Sequence, residues 1–297
     1  MSFSTDVKSE LCSVRTDNAA AEAECHGMLV LCRSFSFDKI FFQTACREAA
    51  EHFVALLRRC FDVFTAVNVG GSKKPTYTVE VTSDADRKRI LFSLGYKYSE
   101  NPTVNFAKIK TDGNLKAFIR GAFLSGGNLS EPEKEYRAEF SFKSNDTAAD
   151  FVGLLDSKGF EFSLTYRAGK FLVYTKNSET IEEFLTYIGA EGETLNLIGV
   201  KVMKSVRNRV NRRNNFETSN ILKTANAAYT QRQAIEKIKN TRPLCSLPDE
   251  LYEVAILRLN NPEAPLSELC KLSSVKLTRS GFNHRMQKLL EIAKNIK

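Results

Sequence analysis

Near the carboxyl terminus Thr278 is followed by Arg279, Ser280, Asn283, His284, Arg285 and Lys288, and these alternate with Phe282, Met286, Leu289, Ala293 and Ile296. The apolar residues recur at steps of three and four, so a helix would carry them on one stripe and the polar set on its other side. Those polar types suit one chemistry. Arginine matches the O6/N7 edge of guanine and asparagine the N6/N7 edge of adenine through paired hydrogen bonds, while lysine, serine and threonine bond phosphate oxygens. Lys276, just ahead of the threonine, adds another cation. Taken alone, the same pattern also fits a helical bundle with a solvated basic face.

A second cationic stretch weighs against that plainer reading. Residues 201–216 hold Lys201, Lys204, Arg207, Arg209, Arg212 and Arg213, and no acid appears until Glu217. This stretch divides the chain electrically. Upstream, 1–200 has 24 Lys and Arg against 27 Asp and Glu, a balance of −3. Downstream, 201–297 has 19 against 8, a balance of +11, within a total of +8. Such asymmetry marks a near-neutral body joined to a tail that binds a polyanion, with double-stranded DNA as the expected partner.

Hydrolytic or metal chemistry has weaker support. His26, His52 and His284 are far apart, and no pair has the spacing of a helical metal site. Glu80, Asp84 and Asp86 form a short acidic cluster whose expected role is to open a helix, because acids favour helix amino termini. Gly126–Gly127 reads as a turn, since no phosphate-loop pattern surrounds it. The seven cysteines (Cys12, Cys25, Cys32, Cys46, Cys60, Cys245 and Cys270) include no CxxC pair and read as reduced packing residues. No catalytic residue, metal ligand or cofactor motif is assigned.

At 297 residues, 42% hydrophobic and 26% charged, the chain is globular and long enough for two domains with their own cores. The start is charged and lacks an apolar leader segment, and nothing approaches the ~18–20 apolar residues that a membrane helix needs. A cytoplasmic, nucleoid-associated location is expected.

The elements that must position these residues follow from periodicity. Around Gly27 and again around Gly121, 94 residues later, a helical pattern is interrupted by glycine and followed by a compact apolar run. A mid-helix glycine costs about 0.5–1 kcal/mol relative to alanine, and close approach of two helix backbones would explain it. After Gly27 come a hairpin (SFSF-DK-IFFQ), a helix over 44–61, strands over 63–69 and 76–82 around VGGSKKP, and a helix over 84–94. After Gly121 come a strand near Asn128, the turn SEPEK, a strand over 136–143, a helix over 146–158, strands over 160–166 and 170–175, and a helix over 179–188. The fold class is α+β, a duplicated αββαββα unit followed by an all-α region. In that region capping residues within 216–220 open a long helix to about Lys239. A helix from Pro248-Asp249-Glu250 follows with Leu251, Val254, Ala255, Leu257 and Leu259 inward, then one from Pro265 to Leu272 with Leu266, Leu269 and Leu272 inward. After a turn over 273–277 comes a last helix capped by Thr278. Short helix, tight turn and basic amphipathic helix make a helix-turn-helix, whose last helix enters the major groove.

A duplicated αββαββα unit with a glycine in each leading helix resembles the LAGLIDADG homing endonucleases, in which the two motif helices pack together above DNA-facing sheets. Each motif helix of that family ends in an acid followed by glycine, and the two acids hold the cleavage metals. Here Cys32–Arg33 and Gly126–Gly127 occupy those positions and offer no carboxylate oxygen to a hard cation, so the nuclease chemistry is expected to be absent. With NRVNRRNNFETSN, LPDELYEVAILRLNNPEAPLSEL and LTRSGFNHRMQKL added, essentially the whole chain resembles the WhiA family of bacterial regulators. That resemblance implies a sequence-specific DNA-binding protein without nuclease activity, its carboxyl-terminal domain similar to the promoter-binding part of sigma factors. The family is tied to sporulation in mycelial species and to cell division and chromosome segregation elsewhere.

The resulting division is a LAGLIDADG-like domain over 1–200, a basic linker and connecting helix over 201–243, and a helix-turn-helix domain over 244–297. The DNA-contacting set is Thr278, Arg279, Ser280, Asn283, His284, Arg285, Lys288, Lys276, Arg209, Arg212 and Arg213. The amino-terminal half, with little net attraction for a phosphate backbone, is expected to face another regulator or RNA polymerase. Two alternatives stay open: a residual homing-type endonuclease, and an interaction scaffold whose tail binds DNA without sequence preference.

Overall fold

Residues 2–72, 75–98 and 102–296 are described by a computed structural model. Among them α1 (Phe3–Leu11), capped by Ser2, buries Phe3, Val7 and Leu11 one turn apart. No element was expected there, because three apolar residues in nine give too short a pattern to register. Next, α2 (Asn18–Val30) begins the first repeat, which continues as β1 (Ser34–Phe35), β2 (Ile40–Thr44), α3 (Arg47–Phe61), β3 (Val67–Gly70), β4 (Thr76–Val81) and α4 (Asp84–Ser93). The second runs α5 (Asp112–Gly126), β5 (Gly127–Leu129), β6 (Ala138–Phe142), α6 (Asn145–Asp156), β7 (Ser163–Arg167), β8 (Lys170–Thr175) and α7 (Ser178–Ile188). The duplication is therefore present element for element. Lys73 and Lys74, in the expected VGGSKKP turn, lie outside the described residues.

The two glycines set the frame. A methyl group on Gly27 would stand 2.0 Å from the Phe118 carbonyl oxygen, and one on Gly121 would stand 1.9 Å from that of Glu24. Both distances lie far inside atomic contact, so only glycine lets α2 and α5 touch backbone to backbone. Each repeat then lays a four-stranded antiparallel sheet under its helices, in the orders β1-β2-β4-β3 and β5-β6-β8-β7. Alternation selects the core face: Ile40 and Phe42 pair with Val81 and Val79, while Phe140 pairs with Val173. The copies repeat the same aromatic contact, Phe42 on Phe53 at 4.9 Å and Phe140 on Phe151 at 4.7 Å.

One charged cluster is buried at the helix pair. Glu24 of α2 accepts from Arg120 Nη2 of α5 at 2.7 Å and contacts His52 Nε2 of α3 at 2.9 Å. Burial raises the Glu24 carboxyl, but the hydrogen bonds from His52 and Arg120 outweigh it and hold the group below its usual range.

Beyond Ile188, α8 (Glu191–Thr241) runs without a break for 51 residues. The helix start expected within 216–220 is therefore not a start. No glycine or proline occurs in 200–242, and Arg213 pairs with Glu217 one turn on at 2.9 Å, so nothing interrupts propagation. Its last turns pack Ile235 and Ile238 against α9 (Asp249–Asn260), α10 (Leu266–Leu272) and α11 (Arg279–Asn295), with Leu251, Val254, Leu269, Phe282, Met286 and Leu289 completing a second core. The chain divides into two compact units, Met1–Lys204 and Ser205–Lys297. Among the described residues no helix is long and apolar enough to cross a membrane.

Candidate nucleic-acid interface

The three short helices are fixed by side chains that bond backbone at the turns. Arg258 of α9, 1% exposed, donates from Nη1 to the Ala264 and Asn261 carbonyls at 2.7 and 3.3 Å. It thereby closes the proline-containing loop that leads into α10. Arg258 replaces Leu257 and Leu259 on the buried face, where those two are only half-buried. Leu272, expected inward on α10, is exposed instead.

The next turn is held by Glu253. Its Oε1 accepts from Ser274 N at 2.6 Å, from Ser274 Oγ at 2.8 Å and from Ser273 Oγ at 2.9 Å. Those bonds, led by the Ser274 hydroxyl, hold the Glu253 carboxyl below its usual range against a smaller desolvation effect. Then Thr278 Oγ1 accepts from Gly281 N at 3.1 Å and caps α11.

The cap and the buried stripe Phe282–Met286–Leu289–Ala293 decide which side chains face outward. Ser280, Asn283, His284 and Lys288 are exposed on α11, as are Arg279 at its first turn and Lys276 in the turn before it. Arg285 differs. It lies on the flank toward α9, half-buried, with Nη2 3.3 Å from Glu250 Oε2. Arg279 borders a cavity of about 410 Å³ together with Lys223 of α8 and Ser267 of α10. Gln287 is exposed one turn beyond Asn283 and His284. Sequence reasoning missed both Gln287 and Lys223. The interval Ser280–His284–Gln287, four then three, was the signal for the first, and only the packing of α8 reveals the second.

The six cations of 201–216 do not share one fate. Lys201 Nζ lies 2.9 Å from Glu182 Oε1, and Lys204 Nζ donates to the Pro132 carbonyl at 2.7 Å while standing 4.8 Å from the Tyr136 ring centroid. Both are thus committed within the first unit. Arg209, Arg212 and Arg213 all lie on the exposed stretch of α8, and among the described residues Arg213 is paired with Glu217. Counted by unit, Met1–Lys204 holds 26 Lys and Arg against 27 Asp and Glu, and Ser205–Lys297 holds 17 against 8.

At the carboxyl-terminal ends of α2 and α5 stand Leu31–Cys32–Arg33 and Ser125–Gly126–Gly127. Among the described residues no group of three His, Cys, Asp or Glu side chains is placed to hold a metal ion. Cys32 is buried, its thiol pushed up to about 12 by burial against weaker opposing hydrogen bonds.

The family model of the WhiA C-terminal HTH domain matches residues 210–293, and that of the WhiA LAGLIDADG-like domain matches 115–207. A relative from Clostridium acetobutylicum named "Probable cell division protein WhiA" is 34% identical across 100% of this chain and 99% of its own. One of the same name from Ruminiclostridium cellulolyticum is also 34% identical, over 100% and 98%. The crystal structure of full-length WhiA from Thermatoga maritima has a TM-score of 0.58 at 24% identity, covering 100% of this chain and 99% of that one. The chain is also similar to a crystallised N-terminal LAGLIDADG domain of WhiA, with a TM-score of 0.50 at 20% identity over 63% of this chain and 92% of that one.

Proposed function

The chain belongs to the WhiA family, and from that premise we propose that it is a sequence-specific regulator of double-stranded DNA, acting in cell division and chromosome segregation or in sporulation-type transcription, and without nuclease activity. The carrying observation is α11, a capped helix whose exposed side bears Ser280, Asn283, His284, Gln287 and Lys288 while its other side is locked into the second core. A helix so held can enter a major groove without rearranging the domain. Arg209 and Arg212 on α8 would add phosphate contacts, which give affinity and no sequence information. Several relatives carry a cell-division name, and this favours a division role over a purely sporulation-linked one.

The non-enzymatic reading rests on the helix ends of the first unit. Cys32–Arg33 and Gly126–Gly127 stand where the homing enzymes carry acids, and neither pair supplies carboxylate oxygens for the metal ions of phosphodiester cleavage. Another regulator or RNA polymerase remains our assignment for the partner of the first unit, and the proposed place of action is the nucleoid. Selecting bound fragments from genomic DNA, then titrating the recovered site against a scrambled duplex, tests the proposal. Equal affinity for the two duplexes would reduce the protein to a non-specific binder.

A further inference from the structure

The place left by the missing acids is not inert. At the ends of α2 and α5 the two repeats enclose a cleft of about 910 Å³, within the ~300–1,000 Å³ range of small-molecule sites. Arg33, Lys143 and Lys170 line it, and no carboxylate is among its lining residues. Such a concentration of positive charge is local, because the unit as a whole has one more acid than base. Two of the cations are held in place, Arg33 Nη1 by donating to Gln43 Oε1 and Lys143 Nζ by donating to the Arg33 carbonyl.

Neutral donors converge on the same cleft. Ser125 Oγ is buried on its rim with no hydrogen-bond partner among the described residues, so a ligand or water is free to answer it. Ser144 also lines the cleft. It occupies the N-cap position of α6 but makes no capping bond, so the first amides of that helix are left for another acceptor. Asp146 sits in the same first turn but is not part of the lining. Leu31, Phe35 and Phe142 give the cleft an apolar patch, beside which Ser34, Ser141 and Thr147 add neutral polar groups.

We propose that this cleft binds a phosphorylated small molecule of the nucleoside diphosphate class, its phosphates on Arg33, Lys143, Lys170 and the α6 amides and its uncharged body on the apolar patch. A duplex is the poorer fit. Backbone binding scales with the number of phosphates neutralised, and the first unit as a whole has 26 Lys and Arg against 27 Asp and Glu. The inference is independent of the helix-turn-helix reading, since every residue it uses lies in the first unit.

Calorimetric titration of the full chain with ADP, and separately with inorganic pyrophosphate, in the presence of a chelator tests the proposal. Saturable binding of both is expected, weakened at least about ten-fold in Arg33→Gln/Lys170→Gln, where two charge-assisted bonds are lost. Arg33 and Lys170 are exposed, so the double variant should melt like the parent. Ser125→Ala, which alters no charge, serves as a second and separately folded variant and should also weaken ADP. Its failure to do so, or unchanged affinity in the double variant, would overturn the site. So would a chain that ignores both ADP and pyrophosphate, including one in which only duplex DNA engages Arg33 and Lys170.

Discussion

Gly27 and Gly121 each sit within a helix, where glycine is costly, because the opposing backbone leaves no room for a Cβ atom. Gly27→Ala or Gly121→Ala is expected to destabilise the first unit by about 3 kcal/mol or more, since the obstruction is backbone and cannot swing aside. A melting temperature within error of the parent would contradict the contact. His26 makes a second residue-scale prediction. Burial pushes its imidazole down to about 4 from the ordinary 6.5, and Nε2 lies 2.7 Å from Tyr96 Oη. The folded state therefore favours the neutral ring. Its contribution is complete above pH 6.5 and is lost as pH falls toward 4, amounting to about 3 kcal/mol over that window. Denaturant midpoints measured down the pH scale should fall less steeply in His26→Gln. The depressed Glu24 carboxyl adds its own loss only at lower pH, below the ordinary carboxylate value, so the two windows can be separated.

At the scale of elements, α11 and α8 have different tasks. Asn283→Ala should cost about 1–3 kcal/mol on the recognised site and little on a scrambled duplex, because a base contact is lost and the phosphates are untouched. Arg285 is already engaged with Glu250, so Arg285→Ala is expected to cost less than Asn283→Ala. The reverse order in a binding titration would mean that Arg285 leaves Glu250 when DNA arrives. On α8, Arg209→Gln/Arg212→Gln should lower the slope of log K against log salt by about 0.9 for each phosphate contact removed, with specificity kept. An unaltered slope would assign both arginines to helix solubility. The elements also show where local reading succeeds. Thr278 as cap, the turn before it and the stripe Phe282–Met286–Leu289 follow from spacing alone, because a helix end and an amphipathic face are local properties. The expected break within 216–220 failed for a related reason: capping residues start a helix only where one is not already running.

For the whole molecule, the two units carry different charge and different chemistry. The first contains the LAGLIDADG-like domain of the WhiA family, with Cys32–Arg33 and Gly126–Gly127 at the ends of its two glycine-bearing helices, and the second holds an excess of nine cations over anions. Supercoiled plasmid incubated with the full chain and Mg²⁺ should remain supercoiled while its mobility shifts on a gel. Nicking that survives repurification, and is lost on Arg33→Gln, would instead reveal an unorthodox cleavage centre.

The duplication, the placement of most strands and helices, the charge divide and the helix-turn-helix are legible in the chain alone, because each rests on periodicity, turn chemistry or composition within a short window. Packing alone shows which backbones meet at Gly27 and Gly121, that Arg285 faces Glu250, and that Lys201 and Lys204 are taken up by the first unit. It alone gathered Arg33, Ser125, Lys143 and Lys170 from both repeats around one cleft. Contacts between residues so distant along the chain are set by how whole elements pack, and no local pattern encodes them.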